Sequence, residues 1–94
     1  MNKDLLELIK TLLSLKGKDE CREFLEDLCT PAELAALAGR WKVARMLEDG
    51  LSYREIYEKS GVSTATVTRV ARCVTLGTGG YRLALKRRDE GVGK

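Results

Sequence analysis

Residues 52–75 read SYREIYEKSGVSTATVTRVARCVT, and the fold of the 94-residue chain is most clearly indicated by this stretch. Ser52 followed three residues later by Glu55 is the pattern of a capping box, which predicts that a helix starts here. Gly61 stands where a tight turn requires a positive φ, and Ser63 can cap a second helix. Two short helices joined in this way predict a helix-turn-helix.

The second of these predicted helices has one apolar face and one exposed face. Four residues at i, i+3, i+4 and i+7 share the apolar face, namely Val67, Val70, Ala71 and Val74. Ala65, Arg69 and Arg72 point away from it, and Thr64 and Thr68 flank the exposed surface. Small residues near the start of such a helix allow close approach to a DNA major groove, where threonine and arginine contact phosphates or bases. We therefore predict binding to double-stranded DNA through Ser52, Arg54, Ser63, Thr64, Ala65, Thr66, Thr68 and Arg72.

The charge distribution favours a polyanionic partner. Residues 1–50 contain 8 Lys or Arg and 10 Asp or Glu, which gives a net charge of −2. Residues 51–94 contain 9 Lys or Arg and 4 Asp or Glu, which gives a net charge of +5. Neutralisation of phosphates drives most non-specific affinity for nucleic acids. An ordinary solvated surface, or a helical interaction module that binds an acidic protein, is compatible with the same pattern.

The remaining sequence predicts further short helices, so the fold class is all-α. The first spans about 3–15, and its leucines leave little of the circumference polar. A second lies near 19–28 with Asp19 as its N-cap. A third begins at Thr30-Pro31, where Thr30 and Glu33 form another capping box, and it ends at Gly50. Such a helix is either buried by its own domain or contacts a partner subunit. Because a chain of this size has little else to cover it, we expect a partner subunit to contact Leu5, Leu8, Ile9, Leu12 and Leu13.

The carboxyl-terminal stretch is predicted to contain a hinge and a last short helix. Gly77-Thr78-Gly79-Gly80 lacks the Lys-Ser/Thr of a phosphate-binding loop and follows a helix, so we interpret it as a hinge. The final helix is marked by Tyr81, Ala84 and Leu85. It ends in Lys86-Arg87-Arg88, which either contacts DNA phosphate or is solvated.

Composition excludes several other classes of function. The chain has room for one domain, 1–94, and contains three cysteines without C-x-x-C spacing and no histidine, so we expect no metal site and no cofactor. No nucleophile and base form a recognisable catalytic motif, and we do not expect an enzyme. No apolar run approaches the roughly 18 residues that span a membrane, and no signal peptide is apparent. We expect a cytoplasmic protein.

A resemblance to a known family rests on residues spread along the chain. Leu28-Cys29-Thr30-Pro31, Arg40, Gly50, residues 52–56, Gly61 and Ala65-Thr66-Val67-Thr68-Arg69 together resemble the Trp repressor superfamily, and more closely its YerC/YecD branch. The similarity covers about residues 1–88. It implies a six-helix subunit, an intertwined homodimer, and paired recognition helices that bind a palindromic operator.

The resemblance also implies a candidate effector pocket. Arg40 and Arg69 match two arginines that hold tryptophan in the repressor, and Thr30 matches a further contact position. Val70 stands where the repressor has a glycine that leaves room for the indole, and Cys73 replaces a serine that helps to bind the ligand amino group. We therefore predict that tryptophan does not bind, and the identity of any effector stays open. The match also makes a pocket or structural role for Arg69 as reasonable as DNA contact.

Overall fold

The computed structural model describes residues 1–91, and within them six α-helices are present and no strand. The helices are α1 (Lys3–Ser14), α2 (Gly17–Leu28), α3 (Pro31–Glu48), α4 (Tyr53–Ser60), α5 (Thr64–Leu76) and α6 (Gly80–Asp89). The predicted all-α, six-helix architecture is confirmed. In this described part of the chain, no helix is both long and apolar enough to cross a membrane.

The chain divides into two compact units, Met1–Ala35 and a second that begins at Ala36. In the first unit, α1 is capped by Asn2, whose side-chain oxygen accepts a hydrogen bond of 2.7 Å from the backbone N–H of Leu5. Neither α1 nor α2 contains a buried residue among those described. On α1, Leu13 is 80% exposed, whereas Leu8 and Ile9 are half-buried.

The predicted start of α2 at Asp19 is wrong. The helix begins two residues earlier, after Lys16, and Asp19 lies within its first turn. The N–H of Lys16 donates to the Glu20 carboxylate at 2.8 Å, and Gly17 adopts a φ of +82°. The capping side chain therefore comes from within the helix and bonds a backbone N–H at its start. A pattern of Ser, Thr, Asp or Asn before the helix does not indicate a cap of this kind.

Both ends of α3 follow the prediction. The Thr30 hydroxyl accepts from the N–H of Glu33 at 3.1 Å, and the N–H of Thr30 donates to the Glu33 carboxylate at 2.8 Å. At the other end, the N–H of Leu51 donates to the carbonyl of Met46 at 3.1 Å around Gly50, whose φ is +88°.

The second unit has a core to which four helices contribute. Its buried residues are Val43 and Ala44 of α3, Ile56 of α4, Val67 and Val70 of α5, and Leu85 of α6. Half-buried apolar side chains, including Trp41 and Tyr81, pack around them. This core fixes α4 and α5 relative to each other.

Two arginines of α6 attach this last helix to the rest of the second unit. The Arg82 guanidinium donates to the carbonyl of Val74 near the end of α5, at 2.9 Å. Arg88 forms an ion pair of 2.9 Å with Asp49, just beyond α3, and another of 3.1 Å with Asp89. These hydrogen bonds raise the pKa of the Arg88 guanidinium. Of the Lys86-Arg87-Arg88 cluster, Arg88 is therefore engaged within the protein, whereas Lys86 and Arg87 are exposed.

Candidate nucleic-acid interface

The first helix of the candidate site, α4, is fixed at its start by the predicted capping box. The Ser52 hydroxyl accepts from the N–H of Glu55 at 3.2 Å, and the N–H of Ser52 donates to the Glu55 carboxylate at 3.1 Å. Ile56 anchors the helix because its side chain is completely buried in the core. A helix of eight residues is too short to be stable alone, so it depends on this cap and this anchor.

The turn between the two helices is built on Gly61, as predicted. Gly61 has a φ of +72°, a conformation that strains any residue with a Cβ, and its N–H closes α4 by donating to the carbonyl of Tyr57 at 3.3 Å. A second glycine was not predicted to matter here. A Cβ built on Gly39 of α3 would lie 3.3 Å from a methyl of Val62, so α3 and the turn approach closely at this glycine.

The second helix, α5, is capped by Ser63, also as predicted. Its hydroxyl accepts from the N–H of Thr66 at 3.2 Å and donates to the hydroxyl of Thr66 at 3.0 Å. Val67 and Val70 lie in the core, and Ala71 and Val74 are half-buried, so the predicted apolar face is confirmed.

The structure places the predicted DNA contacts mainly on exposed surface. Seven are exposed, and Thr66 is half-buried. The Thr68 hydroxyl donates to the carbonyl of Thr64 at 3.0 Å, so it can only accept from a partner while that bond persists. Arg54 forms an ion pair of 3.1 Å with Glu58, and both side chains are exposed. That these residues contact DNA stays a prediction.

A shallow depression on α5 brings several of the charged and small side chains together. It has a volume of about 450 Å³ and is lined by Ala65, Thr68, Arg69, Arg72 and Cys73. Two guanidinium groups at the edge of a depression with small residues can contact phosphate or the acceptor atoms of guanine. Arg69 and Arg72 thus share one surface, although different roles were predicted for them.

Sequence reasoning missed two tyrosines of α4. Tyr53 and Tyr57 are 54% and 48% exposed and line an apolar cleft between α4 and α5. Their i, i+4 spacing was available in the sequence, but only the packing of the two helices shows that both rings face the start of α5.

The residues of the candidate effector pocket are distributed over both units. Thr30 belongs to the first unit and is engaged in its capping box, while the other four belong to the second. Arg40 is half-buried, and its guanidinium donates to the carbonyl of Ala36 at 3.4 Å. Val70 is 1% exposed and belongs to the core, so its side chain occupies space that a glycine would leave open. The half-buried Cys73 borders the depression on α5. A pocket formed by these residues stays a prediction.

The two capping boxes predict an acid-sensitive contribution to stability. Hydrogen bonds from Thr30 lower the pKa of Glu33, and those from Ser52 lower the pKa of Glu55. This stabilisation is present above the ordinary pKa of glutamate and is lost as the pH falls through the lowered values. We expect the double variant Glu33→Gln, Glu55→Gln to lose less stability than the wild type between about pH 7 and pH 3 in urea denaturation. An unchanged pH dependence would contradict this role.

The geometry of α4, the Gly61 turn and α5 defines a helix-turn-helix protein. Comparison with known proteins gives the family: the Trp repressor protein family matches residues 3–89, and the chain belongs to it. Its members are helix-turn-helix DNA-binding regulators, which is the general class of function that this membership indicates.

Three known proteins illustrate the similarity. The uncharacterised protein YerC of Bacillus subtilis strain 168 is 47% identical over 88 residues, which cover 94% of this chain and 85% of that protein. A crystal structure of a Staphylococcus aureus protein, provisionally described as a Trp repressor, is 38% identical with a TM-score of 0.90 and covers 95% of this chain and 89% of its own. The crystal structure of a TrpR-like protein from Eubacterium eligens ATCC 27750 is 39% identical with a TM-score of 0.88. The match covers 99% of this chain and 95% of that one. The resemblance deduced from the sequence is confirmed.

Proposed function

We propose that this protein is a sequence-specific transcriptional regulator, acting as a repressor, that binds double-stranded DNA as a homodimer and does not respond to tryptophan. The observation that carries the proposal is the exposed amino-terminal half of α5 within a helix-turn-helix. It presents Thr64, Ala65 and Thr68, with Arg72 one turn further along. Small side chains let the helix approach base edges, and Arg72 supplies a cation for the phosphate backbone.

The hydrogen bonds around the start of α5 suit its hydroxyl groups to different contacts with DNA. The hydroxyls of Thr66 and Ser63 are hydrogen-bonded to each other at 3.0 Å beside the helix start, where a hydroxyl can contact a phosphate oxygen. Thr68 donates to the helix backbone and can accept from an amino group of adenine or cytosine, or contact a base with its methyl group. Positioning on the DNA backbone and reading of bases would thus fall to different residues of one helix.

The exposed leucines of α1 support a homodimer. Leu5, Leu12 and Leu13 are 47%, 41% and 80% exposed, and Leu8 and Ile9 are half-buried. A contiguous apolar face of this kind on a small protein marks an interaction surface. In a two-fold symmetric dimer, two copies of α5 would contact half-sites about one helical turn of DNA apart, which corresponds to a palindromic operator.

We further propose a non-enzymatic, cytoplasmic protein. Cys21, Cys29 and Cys73 are free and half-buried, which suits a reducing compartment. Regulation of this kind requires binding rather than chemistry, and the proposed partners are DNA and a second copy of the chain.

Replacing Arg72 with alanine tests the proposed DNA contact. The wild type is expected to bind duplex DNA saturably, with an affinity that falls steeply as salt rises. Arg72→Ala should weaken binding to all duplexes about tenfold and reduce the slope of log affinity against log salt by roughly one for each phosphate that the arginine neutralises. Fluorescence anisotropy over a salt series measures both quantities.

The matched control is Lys18→Ala, which removes the same charge from an exposed position on α2. It should leave the salt slope unchanged. Equal losses of affinity in the two variants would show a general charge effect and contradict the contact. Absence of saturable binding to any duplex at low salt would instead favour the protein-interaction module.

Calorimetric titration with tryptophan tests whether the protein is independent of this amino acid. We expect no binding, because the Val70 side chain fills core space that a glycine would leave free. The variant Val70→Gly removes that side chain, and detectable affinity in this variant alone would identify its volume as the cause. Micromolar affinity of the wild type would contradict the prediction.

A further inference from the structure

A second surface feature of the helix-turn-helix combines residues of α4 with two of the residues proposed as contacts on α5. It is a cleft of about 320 Å³ between α4 and α5, lined by Tyr53, Arg54, Tyr57, Thr64, Val67 and Thr68. Neither tyrosine is buried in the core, although each has a large aromatic ring. Half-exposed aromatic residues grouped around a cleft are typical of binding surfaces.

The lining of the cleft is mainly apolar. Val67 is buried and belongs to the core, and the rings of Tyr53 and Tyr57 belong to α4. Thr68 also lines the cleft, and its hydroxyl is hydrogen-bonded to the carbonyl of Thr64. Such a lining favours a small apolar group over a charged one.

The position of the cleft indicates what occupies it. Thr68 lines both the cleft and the depression that contains Arg69 and Arg72. A DNA strand whose phosphates contact those arginines would therefore pass directly beside the cleft. The 5-methyl group of thymine is the apolar group that a standard base pair displays in the major groove.

We propose that the cleft between α4 and α5 is a specificity site that takes the 5-methyl group of a thymine in the operator. This inference rests on the proposed function, because it assumes that α5 lies in the major groove. The rings of Tyr53 and Tyr57 would contact the methyl group, and a cytosine carrying a 5-methyl group would offer the same chemistry. Sequence preference would thus come partly from α4 as well as from the recognition helix.

Replacement of thymine by deoxyuridine in a duplex selected by the wild-type protein tests this site. The exchange keeps base pairing and removes only the methyl group. At one thymine in each half-site we expect the affinity to fall about fourfold per methyl group, the effect of exposing one apolar carbon. Substitution of the other thymines should have smaller effects. Anisotropy titrations at fixed salt provide the affinities.

Variants of Tyr57 connect the effect to the cleft. Tyr57→Ala should bind the thymine and uracil duplexes with equal affinity, whereas Tyr57→Phe, which keeps the ring, should retain the difference. A duplex with 5-methylcytosine in place of thymine should bind better than one with cytosine. Comparison of these two duplexes shows whether the methyl group itself is recognised.

The outcomes separate this inference from the proposed function. If the protein binds DNA and replacement of each thymine by deoxyuridine leaves the affinity unchanged, the cleft assignment is overturned. The proposed function as a DNA-binding regulator would be unaffected by this result. Equal weakening of both duplexes by Tyr57→Ala, with the difference between them preserved, would also overturn it. Failure of the wild type to bind any duplex would overturn the proposed function itself.

Discussion

Replacement of Ile56 by alanine is expected to lower the free energy of unfolding by about 2–5 kcal/mol, the range for removing a large buried aliphatic side chain. Ile56 is fully buried and is the residue through which α4 enters the core. The removed methyl groups leave a cavity, and α4 has only eight residues with which to compensate. We therefore expect DNA binding to fall together with stability.

Urea denaturation at a fixed protein concentration measures this effect, because the apparent stability of a dimer depends on concentration. Ile56→Val is the graded control and should lower stability by only about 0.5–1.5 kcal/mol. Lys59→Ala, at an exposed position of the same helix, should change it by less than about 0.5 kcal/mol. An Ile56→Ala protein as stable as Lys59→Ala would show that α4 is held by other contacts.

Replacement of Leu13 by glutamate is expected to convert the proposed homodimer to monomers and to lower DNA affinity by roughly 100-fold or more, since two linked half-site contacts become independent. Leu13 is 80% exposed within one chain, so the substitution should be harmless to an isolated subunit. In a dimer interface, it would bury a charge without a partner. The expected effect is therefore specific to the proposed assembly.

Analytical ultracentrifugation and DNA titration of the same samples distinguish these cases. Lys10→Glu places an acidic residue at an exposed position on the polar side of α1 and serves as the control, with wild-type assembly expected. If the Leu13→Glu protein remains dimeric and binds DNA as the wild type does, Leu13 of α1 does not lie in the dimer interface. Monomeric wild-type protein would refute the homodimer.

Several features of the helix-turn-helix could be deduced from the sequence because each depends on neighbours close along the chain. A capping box joins residues three apart, so Thr30 with Glu33 and Ser52 with Glu55 were recognisable as pairs. The periodicity that places Val67 and Val70 on one face is likewise a property of a single helix. The turn at Gly61 follows from the conformational freedom of one residue.

Other features depend on contacts that no simple local pattern marks. The helix α2 begins before the predicted N-cap Asp19, because the Glu20 side chain accepts a hydrogen bond from the backbone N–H that precedes the helix. The close approach of Gly39 to Val62 joins α3 to the turn between residues far apart in the chain. The hydrogen bond of the Thr68 hydroxyl to the Thr64 carbonyl depends on the side-chain rotamer, which the sequence does not specify.

The helices, most of their caps, the turn and the family could thus be recognised from the order of amino acids, because they depend on interactions within a few residues or on motifs in register. The cleft that Tyr53 and Tyr57 of α4 share with Thr64 and Thr68 of α5 becomes visible only when the helices are packed. The physical reason is that such a surface is set by the angle and distance at which two helices pack. Burial of Ile56, Val67 and Val70 in a common core establishes both.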